Sequence, residues 1–251
     1  MSFKKKDNQT YYNPIRRAIL NHQLIEPGDK VAIGMSGGKD STSLLYFLDT
    51  ISKQKRLGFE FEIVPITLVM GFDMDISPLQ EFVEGLGYEL DIVPTNIAQV
   101  VFDIREERSP CSLCAKLRRG ILYKRAKELG CNKVALGHHL DDAIETYFMN
   151  FLFHGQLASF EPRSHLTKTD ITLIRPLLYV EEKQIIQFVS REELPLIFNP
   201  CPVDKKTKRE EIKHLVSNLA QTYPDIREKF VMGMEQGLSE NFWTKSMVPA
   251  K

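Results

Sequence analysis

The chain has 251 residues, enough to bury one sizeable core with a modest appendage and short for two full-sized domains. Hydrophobic residues at 43% and charged residues at 26% exclude a disordered, collagen-like or disulfide-framework protein. The 33 basic residues balance the 33 acidic ones, so any nucleic-acid-binding surface must be local rather than global.

The basic start, Met1 to Asp7, leads into no apolar stretch, and no apolar run approaches the ~18 residues of a membrane span. With no export or membrane signal in view, the expected location is cytoplasmic. The four cysteines then belong to a reducing compartment, where clustered thiols serve metal or sulfur chemistry more often than structural bridges.

A helical pattern covers residues 11–24, after which Pro27, Gly28 and Asp29 turn the chain into KVAIG at 30–34, a compact run typical of a buried parallel strand. SGGKDS at 36–41 follows directly, and Leu44, Leu45, Leu48 and Ile51 recur behind it at helical spacing. Strand, glycine-rich loop and helix together form the context of a phosphate cradle. Small residues let backbone amides approach oxygens, the helix start favours anions, and Lys39 adds a cation. A Walker loop would need glycine at position 33 and Ser or Thr at position 40, where this chain has Ile33 and Asp40.

IVPITLVM at 63–70 reads as a second strand, although Pro65 argues against a central position. A helix over 77–86, a strand over 88–93, a helix over 112–129 and a strand over 133–137 follow. The alternation predicts an α/β fold with a doubly wound parallel sheet, whose ligands sit beyond the carboxyl ends of the strands. Gly137-His138-His139-Leu140-Asp141-Asp142 opens the next helix, hence on the same sheet edge as the loop at 36–41. In that helix Leu140, Ala143, Ile144, Tyr147, Phe148, Phe151 and Leu152 form one apolar face, with Asp141, Asp142 and Glu145 off it. Residues 171–177 make a last strand, and helical patterns near 181–193, 206–220 and 224–238 form a helical carboxyl-terminal portion.

Cys111-Ser112-Leu113-Cys114 follows Ser109-Pro110, a helix-start signal. There the helix dipole, with Lys116, Arg118 and Arg119, is expected to favour the thiolate. A lone CxxC fits a redox pair, half a zinc site, part of an iron-sulfur site or two buried small residues. Cys201, between Pro200 and Pro202, supplies a third thiol, whereas Cys131 at a helix end reads as core. Read by themselves, the acidic pair at 141–142 would be dipole partners of a helix and the two histidines packing residues.

SGGKDS after a strand resembles the signature of the PP-loop ATP pyrophosphatase superfamily, whose members split ATP into AMP and pyrophosphate. The resemblance implies that Ser36, Gly37, Gly38, Lys39 and Ser41 grip the pyrophosphate end of ATP, with Asp40 a candidate for Mg²⁺. The 137–142 turn is similar to the GHxxDD turn of tRNA-modifying PP-loop enzymes. That similarity adds Gly137, His138, His139, Asp141 and Asp142 to the nucleotide site, with Asp141 or Asp142 sharing magnesium and the histidines meeting phosphate or moving a proton.

CSLCAKLRRGIL at 111–122, the GHHLDD turn, IRPL at 174–177 and a cysteine eight residues before Arg209 resemble, in order, the tRNA 2-thiocytidine synthetase (TtcA) family over roughly residues 15–238. In that family three cysteines hold a 4Fe-4S cluster with one iron open to sulfur. By position these are Cys111, Cys114 and Cys201, which with Asp40 and Asp142 make up the implied catalytic set. Arg118, Arg119, Lys124 and Lys208 are candidates for guiding the RNA backbone. The partners implied are tRNA and a sulfur donor, a cysteine desulfurase or free sulfide, with a homodimer one option for the assembly.

The implied organisation is an N-terminal helix at 1–25, a PP-loop ATP-binding α/β domain at 26–200 and a helical portion at 201–251 carrying the third cysteine. A closed zinc site with His165 or His214 as fourth ligand remains the alternative at the cysteines. Two departures from the family stand out: Leu140 where an arginine is expected, and one cysteine rather than a pair in the last region. The expected function is an ATP-dependent tRNA sulfurtransferase that adenylates a cytidine 2-carbonyl oxygen and replaces it with sulfur. Its rivals are a PP-loop adenylating enzyme for another nucleoside or small molecule, and a noncatalytic ATP-binding or Fe-S sensing module.

Overall fold

The computed structural model describes residues 5–72, 74–104, 110–198, 200–201 and 208–236. The chain opens with α1 (Lys5–Asp7), which passes through a π-helical turn (Asn8–Tyr12) into α2 (Asn13–Asn21). The wider turn carries the consecutive Tyr11 and Tyr12 to the buried side, where both meet Phe47, at ring distances of 5.4 and 5.7 Å. This helix therefore starts ahead of the predicted 11–24 segment and ends before Gln23, whose φ of 49° breaks it.

The elements that follow are β1 (Lys30–Met35), α3 (Lys39–Lys53), β2 (Glu62–Val69), α4 (Ser77–Gly85) and β3 (Asp91–Pro94). A second π-helical turn (Gln99–Ile104) precedes α5 (Pro110–Glu128), β4 (Lys133–Ala135) and α6 (Leu140–His154). The chain continues through β5 (Arg163–Leu166), β6 (Ile171–Ile174), α7 (Glu182–Arg191), α8 (Lys208–Thr222) and α9 (Ile226–Gln236).

The strands form one sheet in the order β3-β2-β1-β4-β6-β5, parallel except for β5, which runs antiparallel to β6 at the edge. β1 shows why the sheet is covered on both sides. Its Val31, Ile33 and Met35 pack into one layer with α3 and α7, while Ala32 packs into the other with Leu122, Tyr123 and Ala126 of α5. This is the doubly wound α/β arrangement predicted. Pro65 does lie within β2 between two neighbours, but pairing with β3 begins only at Ile66, so the proline sits where β2 has a single partner, β1.

Two expectations are corrected. β5 was absent from the predicted elements, because RSHL has no apolar pattern and half its residues are exposed. The apolar face expected on α6 holds only for its first half: Leu140, Ala143 and Ile144 are buried, whereas Phe151 and Leu152 are 46% and 51% exposed. α8 and α9 cover the beginning of α6, through Ile212, Val216 and Phe230, and the helix then outruns them. The same cover buries Asp141 and Glu145, expected off the apolar face. Among the described residues no helix is long and apolar enough to cross a membrane.

Candidate nucleotide and thiol site

The loop between β1 and α3 is knitted by its serines. Ser41 Oγ accepts from Ser36 N–H at 3.1 Å and donates to the Gly38 carbonyl at 3.0 Å, while Gly38 N–H donates to Ser36 Oγ at 3.3 Å. Gly38 caps α3 with extended backbone and no side-chain cap, so the first amides of the helix stay open to an anion. Gly37 has φ +73°, and a Cβ there would come within 2.8 Å of Ile197, whose N–H donates to the Gly37 carbonyl at 2.9 Å. The segment leading to Cys201 is thus fastened to the loop's backbone.

Lys39 Nζ lies 2.9 Å from Asp40 Oδ2 and 3.1 Å from Glu182 Oε1. Burial opposes its charge, but the two carboxylates outweigh burial and raise its pKa. Burial likewise opposes ionisation of Glu182, but Lys213 and Lys39 overcome it and hold that carboxyl at about 2. The other oxygen of Asp40, Oδ1, is buried and makes no hydrogen bond.

The 137–142 turn abuts this loop. A Cβ on Gly137 would lie 2.9 Å from the carbonyl carbon of Asp40, so only glycine admits the approach. His139 caps α6: its Nδ1 accepts from Asp142 N–H at 3.3 Å, and Asp142 Oδ2 accepts from His139 N–H at 3.0 Å. Asp142 Oδ1 takes Arg209 Nη1 at 2.9 Å. Asp141 faces the other way. Its Oδ1 receives Arg227 Nε and Nη2 at 2.9 and 2.6 Å, and its Oδ2 the N–H of Glu182 at 2.7 Å. The acidic pair that the sequence offered as partners of Asp40 for magnesium is therefore engaged in helix capping and ion pairs, Asp141 completely. His138 is neutral near pH 7, since burial, its largest cause, lowers its pKa to about 4. Its ring lies 5.2 Å from that of Phe160.

A cavity of about 540 Å³ extends from Gly34, Ser36 and Gly38 past the end of β2 to Cys111, Cys114 and Cys201. Arg118, Arg119, His138 and Arg175 line it as well. None of the four cysteines is in a disulfide, and Cys131, buried against α5, has its pKa pushed up to about 11 by burial. Cys114 corrects an expectation. Burial, with Cys201 and Cys111 adding to it, raises its pKa, and Arg118 offsets this only in part, opposite to the direction expected of a helix start. The three sulfurs share a cavity, but among the described residues no group of His, Cys, Asp or Glu side chains is drawn together tightly enough to hold a metal ion.

The remaining candidates separate by position. Lys124 reaches toward Glu128 and Lys208 pairs with Glu211, and neither lines the cavity. His165 and His214, the histidines named for a zinc site, stand beside Asp170 and Glu210 and do not line the cavity. Sequence reasoning missed Glu182, Ile197, Arg209 in its contact with Asp142, and Arg227. Arg175 was visible only as part of the IRPL run.

The PP-loop domain model matches residues 8–220. The tRNA-cytidine(32) 2-sulfurtransferase of Geobacter sulfurreducens is 37% identical over 234 residues, covering 88% of this chain and 87% of its own. That of Syntrophotalea carbinolica is 38% identical over 223 residues, covering 86% and 84%. Among solved structures, the U34-tRNA thiolase NcsA from Methanococcus maripaludis with its 4Fe-4S cluster aligns with a TM-score of 0.72 and 25% identity, over 91% of this chain and 79% of that one. With the loop, the turn and the thiols facing one cavity, and with similarity running along most of its length, the chain belongs to the PP-loop family and, within it, to that of the tRNA-cytidine(32) 2-sulfurtransferases.

Proposed function

We propose that the protein is an ATP-dependent tRNA sulfurtransferase that adenylates the 2-carbonyl oxygen of a cytidine and then replaces that oxygen with sulfur. The observation that carries this reading is the single cavity joining the PP-loop to Cys111, Cys114 and Cys201. The cytidine oxygen bonds to the α-phosphorus of ATP as pyrophosphate leaves. A sulfur nucleophile then attacks C2, and AMP departs with the oxygen. Adenylation turns a poor leaving oxygen into a good one.

In this mechanism the open amides of α3 and the Lys39 ammonium bind the β- and γ-phosphates and stabilise the departing pyrophosphate. Asp40 fits a magnesium ligand, since its buried Oδ1 has no hydrogen bond and Mg²⁺ is held by few carboxylates plus phosphate oxygens. His138, neutral and on the cavity wall, is suited to hydrogen-bond the substrate rather than to carry charge. His139 and Asp142 fix the start of α6 and so the place of the turn. Three cysteine thiols lining one cavity fit a three-cysteine ligand set by donor chemistry. A 4Fe-4S cluster, when bound there, supplies the sulfide with one open coordination position. Arg118 and Arg119 are the favoured contacts to RNA, being on the cavity rim where Lys124 and Lys208 are not.

Nucleoside mass spectrometry of tRNA from a deletion strain tests the proposal. 2-Thiocytidine should disappear and return on complementation, and unchanged 2-thiocytidine would overturn the target. With tRNA, ATP and sulfide supplied without oxygen, AMP should form in step with sulfur incorporation.

A further inference from the structure

One wall of the cavity carries positive charge that neither the PP-loop nor the thiols require. Its described lining holds three arginines, Arg118, Arg119 and Arg175, and no carboxylate. None of the three is paired with a carboxylate among the described residues. Arg175 is only 8% exposed. It follows β6 directly, as Ser36 follows β1, with His138 shortly beyond the end of β4, so it stands at the carboxyl end of the sheet, two strands from the PP-loop.

The guanidinium of Arg175 is held without being neutralised. Nη1 donates to the Glu161 carbonyl, the group lies 4.8 Å over the Phe160 ring, and Nε is buried without a hydrogen bond. His138 rests on the same ring, and its Nδ1 is also buried without a partner. Burial, the largest influence, depresses the pKa of Arg175 and Arg119 adds to this, while Tyr123 and Glu161 offset it only in part, so the guanidinium stands beside a like charge without a paired carboxylate among the described residues. Such an arrangement is costly unless a ligand supplies the missing charge.

The proposed reaction brings such an anion. For its 2-carbonyl oxygen to reach the α-phosphate of ATP, a cytidine must enter the cavity with its ribose, and an adjoining phosphodiester comes with it. A planar guanidinium offers the paired donors that suit phosphate oxygens better than an ammonium does. We infer that Arg175, with Arg119 beside it, forms an anion subsite that takes a tRNA phosphodiester next to the target cytidine and so positions the base between the PP-loop and the thiols. The inference rests on the functional reading above. Arg175 is a positioning residue, since it acts on the base through the phosphate.

Binding of an unmodified tRNA transcript and of AMP, measured across a salt series for wild type, Arg175→Met, Arg175→Lys and Arg119→Met, tests it. Arg175→Met should weaken transcript binding about tenfold and lower the salt slope by about one, with AMP affinity unchanged. Arg175→Lys should recover the slope but only part of the affinity. In turnover, the KM for tRNA should rise more than kcat falls. Arg119 is exposed on α5, so Arg119→Met tests the same slope without risk to the core. Loss of AMP binding with a normal transcript slope would place a nucleotide phosphate at the site and overturn the assignment. Wild-type slopes in both methionine variants would overturn the subsite alone. A wild-type protein that binds no transcript would defeat the functional reading itself.

Discussion

Gly137→Ala probes the contact between the PP-loop and the 137–142 turn. The added methyl would sit 2.9 Å from the Asp40 carbonyl carbon, 3.0 Å from its oxygen and 3.1 Å from its Cβ, where ordinary contact begins at 3.4 Å. The shortfall is ~0.5 Å, and two of the three atoms are backbone at the start of α3, so no side-chain rotation relieves it. Overpacking of this kind costs about 1–3 kcal/mol. At about 2–4 °C per kcal/mol for a chain of this size, the variant should melt about 5 °C lower. A displacement of half an ångström at a phosphate cradle should also cost about tenfold in AMP formation, given that about 1 Å can cost a hundredfold. Calorimetry and a tRNA-dependent AMP assay at 20 °C below the melting temperature, as a rough working margin, read the two effects separately. A Gly137→Ala protein with wild-type melting and wild-type AMP formation would refute the claim that this glycine sets the approach of the two loops.

Glu145 yields a pH prediction. Burial, then Asp142, raises its carboxyl from 4.5 to about 7, so between those values the folded state holds a proton that the unfolded state has released. Stability from this group is therefore greatest at low pH and is lost as pH rises toward 7, by about 3 kcal/mol in all. Glu145→Gln should raise the melting temperature at pH 8 and change it little at pH 5, and an equal effect at both would show that the carboxyl titrates normally. Arg227→Met strips the buried Asp141 of its guanidinium and should cost about 3 kcal/mol in urea unfolding, with Asp141→Asn in the same chain recovering part of the loss. A loss below about 0.5 kcal/mol would mean the pair is not a latch between α6 and α9. Cys111→Ala, Cys114→Ala and Cys201→Ala should each lower iron content after anaerobic purification and abolish sulfur transfer, while Cys131→Ala keeps its iron. Zinc in place of iron in the wild-type protein would discard the cluster assignment.

Much of the fold was legible because its signals are local. Buried parallel strands read as short apolar runs, and α3 and α7 as periodic ones. The phosphate loop was legible for the same reason, since glycine, serine and lysine at neighbouring positions after a strand constitute the chemistry themselves. β5 was not legible because an exposed edge strand needs no apolar pattern. The exposed end of α6 was misread because periodicity marks a face without saying how far the helices packed on it extend.

The sequence by itself determined the parallel strands of the sheet, the phosphate loop, the thiols that accompany it and the family. Each of these depends on residue types at short spacing or on several motifs in order. Tertiary structure alone decided which charges face which. Asp141 pairs with Arg227 of α9, Lys39 with Glu182 of α7, and Arg175 with no carboxylate among the described residues. It also set the direction for Cys114, since burial outweighs Arg118 and raises its pKa. The physical reason is common to all of these. Ionisation and pairing are set by what the fold places within a few ångströms, and those neighbours lie far away along the chain.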